Sequence, residues 1–213
     1  MVIGVAIPTY SEHIGYLPNL LDQISKSTVL PTQVSISVSS LNGDLVLNDY
    51  PFETIITKTS EFKNSAQNRN IAGSKLKTDI ITFIDGDDIP HEKRHEYLLD
   101  CFNQGCDAIV HNYQYTGLSI NEFKSDIGKL DLIKDCIDTY GGGAHTVPLS
   151  SVITDAKFSN GHISVLKKIF DKYKYDESSW LFKCCEDVEY SGKLILNGHK
   201  ISLIKNKLSL YRK

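Results

Sequence analysis

Apolar residues in the first half of the chain fall in short blocks, and the period of the polar positions between them changes from block to block. Val2-Ile-Gly-Val-Ala-Ile7 is a continuous apolar run of strand length, which predicts a buried strand. After a Pro-Thr-Tyr-Ser-Glu loop, Tyr16, Leu17, Leu20, Leu21 and Ile24 share one helical face. Gln33-Val-Ser-Ile-Ser-Val-Ser39 alternates with period two and predicts a second strand, with a turn at Asn42-Gly43-Asp44 beyond it. A short strand is expected at Thr54 to Thr57, a helix over Asn64 to Lys75 that Gly73 weakens, and a strand over Ile80 to Ile84. A helix from His91 to about Asn103 and a strand from Asp107 to Tyr115 follow. Strands alternating with helices predict a mostly parallel sheet covered on both faces.

The second half is less regular. Between Thr116 and Asp155 the pattern loses its period, and Gly141-Gly142-Gly143 reads as a hinge in a loop. A helix is expected from Val165 to about Tyr173, and another from about Glu186 to Leu196, closed by Asn197-Gly198. Two short strands, Ile201 to Ile204 and Leu208 to Tyr211, end the pattern. At 213 residues the chain is long enough for one substantial core. The expected architecture is a single α/β domain, with a mixed, mostly parallel sheet of about six strands flanked by helices.

Charge and composition narrow the function. Lys and Arg number 23 against 26 Asp and Glu, a net charge of -3, and no basic block is interleaved with aromatics, so nucleic acid is not an expected partner. The apolar opening lacks a basic leader, and no stretch approaches the roughly 18 apolar residues of a membrane span. A soluble, cytoplasmic chain without an integral membrane segment is expected. Cys101, Cys106, Cys136, Cys184 and Cys185 lack metal-type spacing and read as buried reduced thiols.

The candidate chemistry starts at Asp79-Ile-Ile-Thr-Phe-Ile-Asp-Gly-Asp-Asp-Ile-Pro90, where an apolar strand empties into three carboxylates within four residues. Like charges this close disfavour joint ionisation unless a cation sits among them. Such oxygen-rich sites suit Mg²⁺ or Mn²⁺, which hold a diphosphate through one or two protein carboxylates. An Asp-Gly turn with solvated acids is the alternative. Asn64 to Ser74 is a polar helix start that would lie beside the same strand end and present Arg69, whose planar fork suits phosphate or a base carbonyl. Cys185-Glu186-Asp187-Val188-Glu189 opens a helix; acids there complement the helix dipole, and Asp187 is a candidate general base with Glu186 orienting the attacking hydroxyl. His91 and His95 have zinc-pair spacing without a third ligand motif and are expected to be exposed. His145 and His162 are better placed for substrate contact.

In this order the segments resemble the nucleotide-sugar glycosyltransferases of the GT-A fold, especially the inverting family-two group, across nearly the whole chain. Ile7-Pro-Thr-Tyr-Ser-Glu12 is similar to that family's opening motif, which implies that Pro8, Thr9, Tyr10 and Glu12 line the uracil pocket. Asn68-Arg69-Asn70 resembles the stretch whose arginine reaches the nucleotide. Thr82-Phe-Ile-Asp-Gly-Asp-Asp88 resembles the Asp-x-Asp signature; the likeness implies Asp85 and Gly86 at the ribose and a metal held by Asp87 with Asp85 and Asp88. Ser159-Asn-Gly-His-Ile-Ser-Val165 resembles the segment that contacts donor sugar and acceptor, through Asn160, Gly161 and His162. Tyr175-Asp-Glu177 resembles its Phe-Asp-Glu, and Glu186-Asp187 the motif that supplies the base. The chain departs from the family at Ser39-Ser40, where an aspartate normally binds uracil, so Ser39, backbone groups or a displaced acid such as Asp44 become the candidate base contacts.

The resemblance implies a nucleotide-binding half over 1–115 and an acceptor and catalytic half over 116–213. It implies Mn²⁺ or Mg²⁺ as cofactor, a UDP-sugar as donor, and a hydroxyl of a glycan or glycoconjugate as acceptor, with inversion at the anomeric carbon. Two other classes stay open: a non-catalytic nucleotide- or glycan-binding module of the same fold, and a sugar nucleotidyltransferase. The latter normally carries a glycine-rich phosphate loop after its first strand, where this chain has Pro8-Thr9-Tyr10. The chain is also a candidate piece of a longer polypeptide.

Overall fold

The computed structural model describes residues 1–115, 127–137, 159–178 and 186–212. The glycine hinge at 141–143, His145, Cys184 and Cys185 lie outside the described residues. In chain order the elements are β1 (Ile3–Tyr10), α1 (Leu17–Ile24), β2 (Gln33–Ser39), β3 (Glu53–Lys58), α2 (Ser65–Lys75), β4 (Ile80–Phe83), β5 (Ile89–Pro90), α3 (Arg94–Asn103), β6 (Ala108–Tyr115), β7 (Leu132–Ile137), β8 (Ser159–Leu166), α4 (Lys167–Lys172), α5 (Glu186–Leu196) and β9 (Ile201–Tyr211). A single 3-10 turn, Ser11–Tyr16, joins β1 to α1.

The sheet runs β3-β2-β1-β4-β8-β6-β9-β5, with β7 on β9. It is mixed, as expected, but holds nine strands rather than about six. β3, β2, β1 and β4 are mutually parallel, and β8 enters antiparallel between β4 and β6. Since β9 is parallel to β6, the carboxyl ends of β1, β2, β4, β6 and β9 and the start of β8 all reach one edge. In open α/β sheets that edge carries the ligand crevice.

Alternation assigns the two faces. Val34, Ile36 and Val38 pack with Val5 and Ile7 against Leu17, Leu20, Leu21 and Ile24 of α1, and α3 covers the same face further along through Tyr97, Leu98, Cys101 and Phe102. The opposite face holds Ile81, Phe83, Ile163 and Val165 under α2, α4 and α5. The serines of β2 are not the solvent face that period two suggests. Ser35, Ser37 and Ser39 are buried, and α2 brings Asn68 to bond Ser37 and Ser39.

Other differences have local causes. Val165 and Leu166, expected to open a helix, complete β8 opposite Ala108 and Ile80, and α4 begins only at Lys167. The two closing strands are one, because polar Lys205-Asn206-Lys207 does not interrupt the ladder: Lys205 N bonds Asp131 O, and Asn206 donates to Ile127 O and Lys129 O. His91 and His95 are buried rather than exposed, and burial lowers the His95 pKa to about 3. Arg94, fully buried, donates to His111 Nε2 and to the carbonyls of Phe83 and His162. Cys101 and Cys106 are buried free thiols, with Cys101 pushed by burial to about 12. Among the described residues no helix is long and apolar enough to cross a membrane.

Gly73, read as a weakness in α2, has a packing reason. A Cβ there would stand 2.6 Å from Phe170 Cζ and 2.8 Å from Cε1. Ala would gain about 1 kcal/mol of helix propensity, but overpacking a well-filled core costs about 1–3 kcal/mol, so packing wins. Gly73→Ala is expected to lower the midpoint of urea unfolding in the native background and to raise it in a Phe170→Leu background, where the ring no longer fills the space.

Candidate active site

A cleft of about 820 Å³ opens at the carboxyl edge of the sheet, walled by Pro8, Thr9 and Tyr10 after β1, by Asp85, Gly86 and Asp87 after β4, and by Gly161, Glu186 and Asp187 opposite. The size suits a nucleotide-like ligand. The carboxylate turn after β4 and the acidic start of α5 therefore face one space. Gly86 permits the turn to close on β1, since a Cβ at that position would meet Thr9 Oγ1 at 2.6 Å.

The link across the cleft is Arg69. Asn64 caps α2 with its side chain on Gln67 N, while Gln67 returns a bond to Asn64 N, which fixes where the helix begins. The next turn holds three consecutive buried polar residues. Asn68 satisfies Ser37, Ser39 and the carbonyl of Lys63. Asn70 bonds the backbone of Tyr175 in both directions and Glu177 Oε1. Between them Arg69 Nη2 donates to Asp85 Oδ1 at 2.7 Å and Nη1 to Glu186 Oε1. Burial opposes the charge on this guanidinium, but Asp85 and Glu186 hold it firmly protonated. Arg69, expected to reach for nucleotide, has both terminal nitrogens committed to carboxylates.

Gly161 sits where these groups converge. A Cβ at this residue would lie 3.2 Å from Arg69 Nη2, 3.4 Å from Asp85 Oδ2 and 3.8 Å from Asp187 Oδ2, so the glycine leaves the meeting point open. Burial raises the Asp85 pKa to about 6 against the opposing pull of Arg69. Asp187 is raised by burial as well, with Arg69 opposing; its Oδ1 accepts from Val188 N at 2.8 Å.

Asp88 and His162 lie behind the wall rather than on it. Asp88 is 1% and His162 0% exposed. Asp88 Oδ1 accepts from Arg212 N at 2.7 Å, and His162 Nδ1 bonds Ser209 Oγ at 2.8 Å. Asp88 Oδ2 and His162 Nε2 are 2.7 Å apart, close enough for an ion pair but misaligned for a hydrogen bond, so neither atom has a hydrogen-bond partner. Burial favours the uncharged form of each, raising Asp88 to about 8 and lowering His162 to about 4. Together with Asp85 they form a compact carboxylate-imidazole cluster with the donors a divalent ion takes.

Ser39 also stays off the cleft wall, fully buried on Asn68. Glu12 is exposed on the 3-10 turn. Asn160 is on β8, and its side chain lies outside the described residues. The cleft includes residues that the sequence did not single out: His13, Phe62, Lys63, Ser65, Ser178 and Tyr211. Phe62 is 73% exposed and lines the cleft together with Ser65 and Asn68. Its signal, an aromatic in a polar loop before a capped helix, is weak without the fold.

A half-sheet of parallel strands, one antiparallel strand set beside it, and a carboxylate-lined cleft at their shared edge define a GT-A fold. The chain belongs to glycosyl transferase family 2, whose family model matches residues 4–170. No curated protein sequence matches it significantly. Among solved structures, S. aureus TarS 1-349 superposes with a TM-score of 0.67 at 14% identity, covering 100% of this chain and 60% of that one. The same fragment in complex with UDP-GlcNAc gives a TM-score of 0.66 at 13% identity, covering 100% and 59%. This chain thus spans about 60% of the length of TarS 1-349.

Removing the bridging cation tests the electrostatics. Arg69→Met leaves Asp85 and Glu186 without their counter-charge, and breaking a buried pair costs about 3–5 kcal/mol. Asp85, already raised by burial, loses the opposing pull of Arg69 and holds its proton more tightly folded than unfolded, so the penalty is largest where the unfolded chain is ionised and shrinks as pH falls towards the ordinary carboxylate range. Urea unfolding is expected to show a larger gap between wild type and Arg69→Met at pH 8 than at pH 5.

Proposed function

We propose that the protein transfers a hexose from a UDP-sugar to a hydroxyl of a glycan or glycoconjugate, with inversion and with Asp187 as general base. The observation that carries the reading is the shared cleft: Asp187 and the Asp85-Asp87 turn line the same space and meet at the opening left by Gly161. The S. aureus TarS 1-349 structures in complex with UDP and with UDP-GlcNAc, which share this fold, support the choice of donor class.

In this mechanism Tyr10, Pro8, Thr9 and Phe62 border the nucleoside end of the cleft, and the acceptor approaches from the α5 side. Asp187 takes the acceptor's proton as its oxygen attacks the anomeric carbon from the face opposite the diphosphate. Burial of Asp187 raises its proton affinity, which suits a base. Glu186, held by Arg69, sets the start of α5 and so the direction in which Asp187 points. The carboxylates of Asp87 and Asp85 would hold Mn²⁺ or Mg²⁺, and such an ion supplies neutralising charge to the departing diphosphate. The donor set fits, since Asp87 and Asp85 present carboxylates on the cleft wall and Asp88 and His162 add a buried, incompletely bonded pair behind it.

Two measurements test the reading. Calorimetric titration of UDP, GDP and CMP, each with and without Mn²⁺, is expected to show metal-dependent preference for UDP; equal binding of all three without metal would count against it. Asp187→Asn is expected to bind UDP within about threefold of wild type while transfer falls by about 10²-fold or more, the lower end of what a general base contributes. Unchanged transfer in that variant removes the base assignment, and unchanged UDP binding without transfer in the wild type favours a binding module.

A further inference from the structure

We propose that His13 is a ligand of the divalent cation, its Nδ1 joining Asp87, and that it biases the site towards Mn²⁺ over Mg²⁺. The proposal rests on the reading that a cation is held at Asp87. His13 lies in the 3-10 turn after β1 and lines the cleft beside Asp87. Its Nδ1 is 3.7 Å from Asp87 Oδ2. Two donors about 2.1 Å from one ion and 90–120° apart stand roughly 3.0–3.6 Å from each other, so about a tenth of an ångström separates the observed spacing from a coordination edge.

The other ring nitrogen supports this assignment independently. Nε2 is 2.7 Å from the Tyr10 hydroxyl. When Nδ1 offers its lone pair to an ion, the ring proton sits on Nε2 and donates to the Tyr10 oxygen; metal-bound imidazoles are oriented by such a bond on their far side. The ring is also held between aromatics, 4.2 Å from the Tyr10 centroid and 5.7 Å edge-on from Tyr16. Asp87 is fixed from behind, because Arg212 Nε donates to Asp87 O at 3.1 Å and the Arg212 guanidinium covers Tyr16 at 4.3 Å. One short assembly, Tyr10, His13, Tyr16 and Arg212, therefore positions both donors. An imidazole suits transition ions better than it suits Mg²⁺, which prefers carboxylate and water.

The test uses the full chain with UDP. Pulsed electron paramagnetic resonance of bound Mn²⁺ is expected to show ¹⁴N modulation in the wild type and none in His13→Ala. Calorimetry is expected to give a Mn²⁺ affinity lower by about 10-fold or more in His13→Ala, with Mg²⁺ affinity changed by less than about threefold. Circular dichroism confirms folding of the variant, whose side chain is partly exposed. Modulation that persists in His13→Ala, or a Mn²⁺ to Mg²⁺ ratio that does not move, overturns the proposal while Mn²⁺ loss in Asp87→Asn keeps the general metal reading. Absence of Mn²⁺ binding in wild type and variants alike overturns both.

Discussion

The guanidinium of Arg69 is the charge that lets the rest of the cleft exist. Asp85 and Glu186 come from elements 101 positions apart in sequence, and both would be driven apart or protonated if left together in a buried setting. A single planar cation with two committed donors draws β4 and α5 to one point and leaves Asp187 beside them. Its neighbours extend the same logic. Successive residues on a helix point about 100° apart, so Asn68, Arg69 and Asn70 address three different elements: the serine face of β2, the acidic cluster, and the segment around Tyr175. The capping box at Asn64 and Gln67 sets the register of all three.

Much of this architecture was legible in the pattern of the sequence. β1 and β4 were readable as short apolar runs buried on both faces, and β2 and α1 because a single period held across each. Where reading failed, long-range partners decided. Val165 and Leu166 have helical neighbours in sequence but strand partners in space, and Lys205 to Lys207 look like a break until the carbonyls of Ile127 and Lys129 are brought against Asn206. β7 falls in a stretch without period, where its pairing with β9 supplies the order that local propensity lacks.

The cleft was legible to the extent that motif order carries it. Asp85, Asp87, Gly161 and Asp187 stand on one wall or the other, as their places after strands and at a helix start suggest. Ser39, Asp88 and His162 do not reach the wall, because each has a hydrogen-bond partner (Asn68, Arg212 and Ser209 respectively) that only the folded chain supplies. His13 was invisible for the converse reason. Its meaning depends on Tyr10 and Asp87, and nothing about a histidine after Ser-Glu announces a carboxylate 74 positions later.

The clasp made by Arg212 has a consequence for how the molecule matures. The turn at Asp87 and Asp88 is synthesised early, yet it is fixed by bonds from Arg212 to the Asp87 carbonyl and the Asp88 carboxylate and by the pairing of Ile89 and Pro90 with Leu210 and Ser209. Contacts of such separation close late, after the entropy of a long loop has been surrendered. A nascent chain in which β1 to β4 have already paired would therefore carry an acidic corner with no settled shape until residues 201–212 emerge and thread along β6. The shape of the Asp87-Asp88 corner would be set only when β9 pairs.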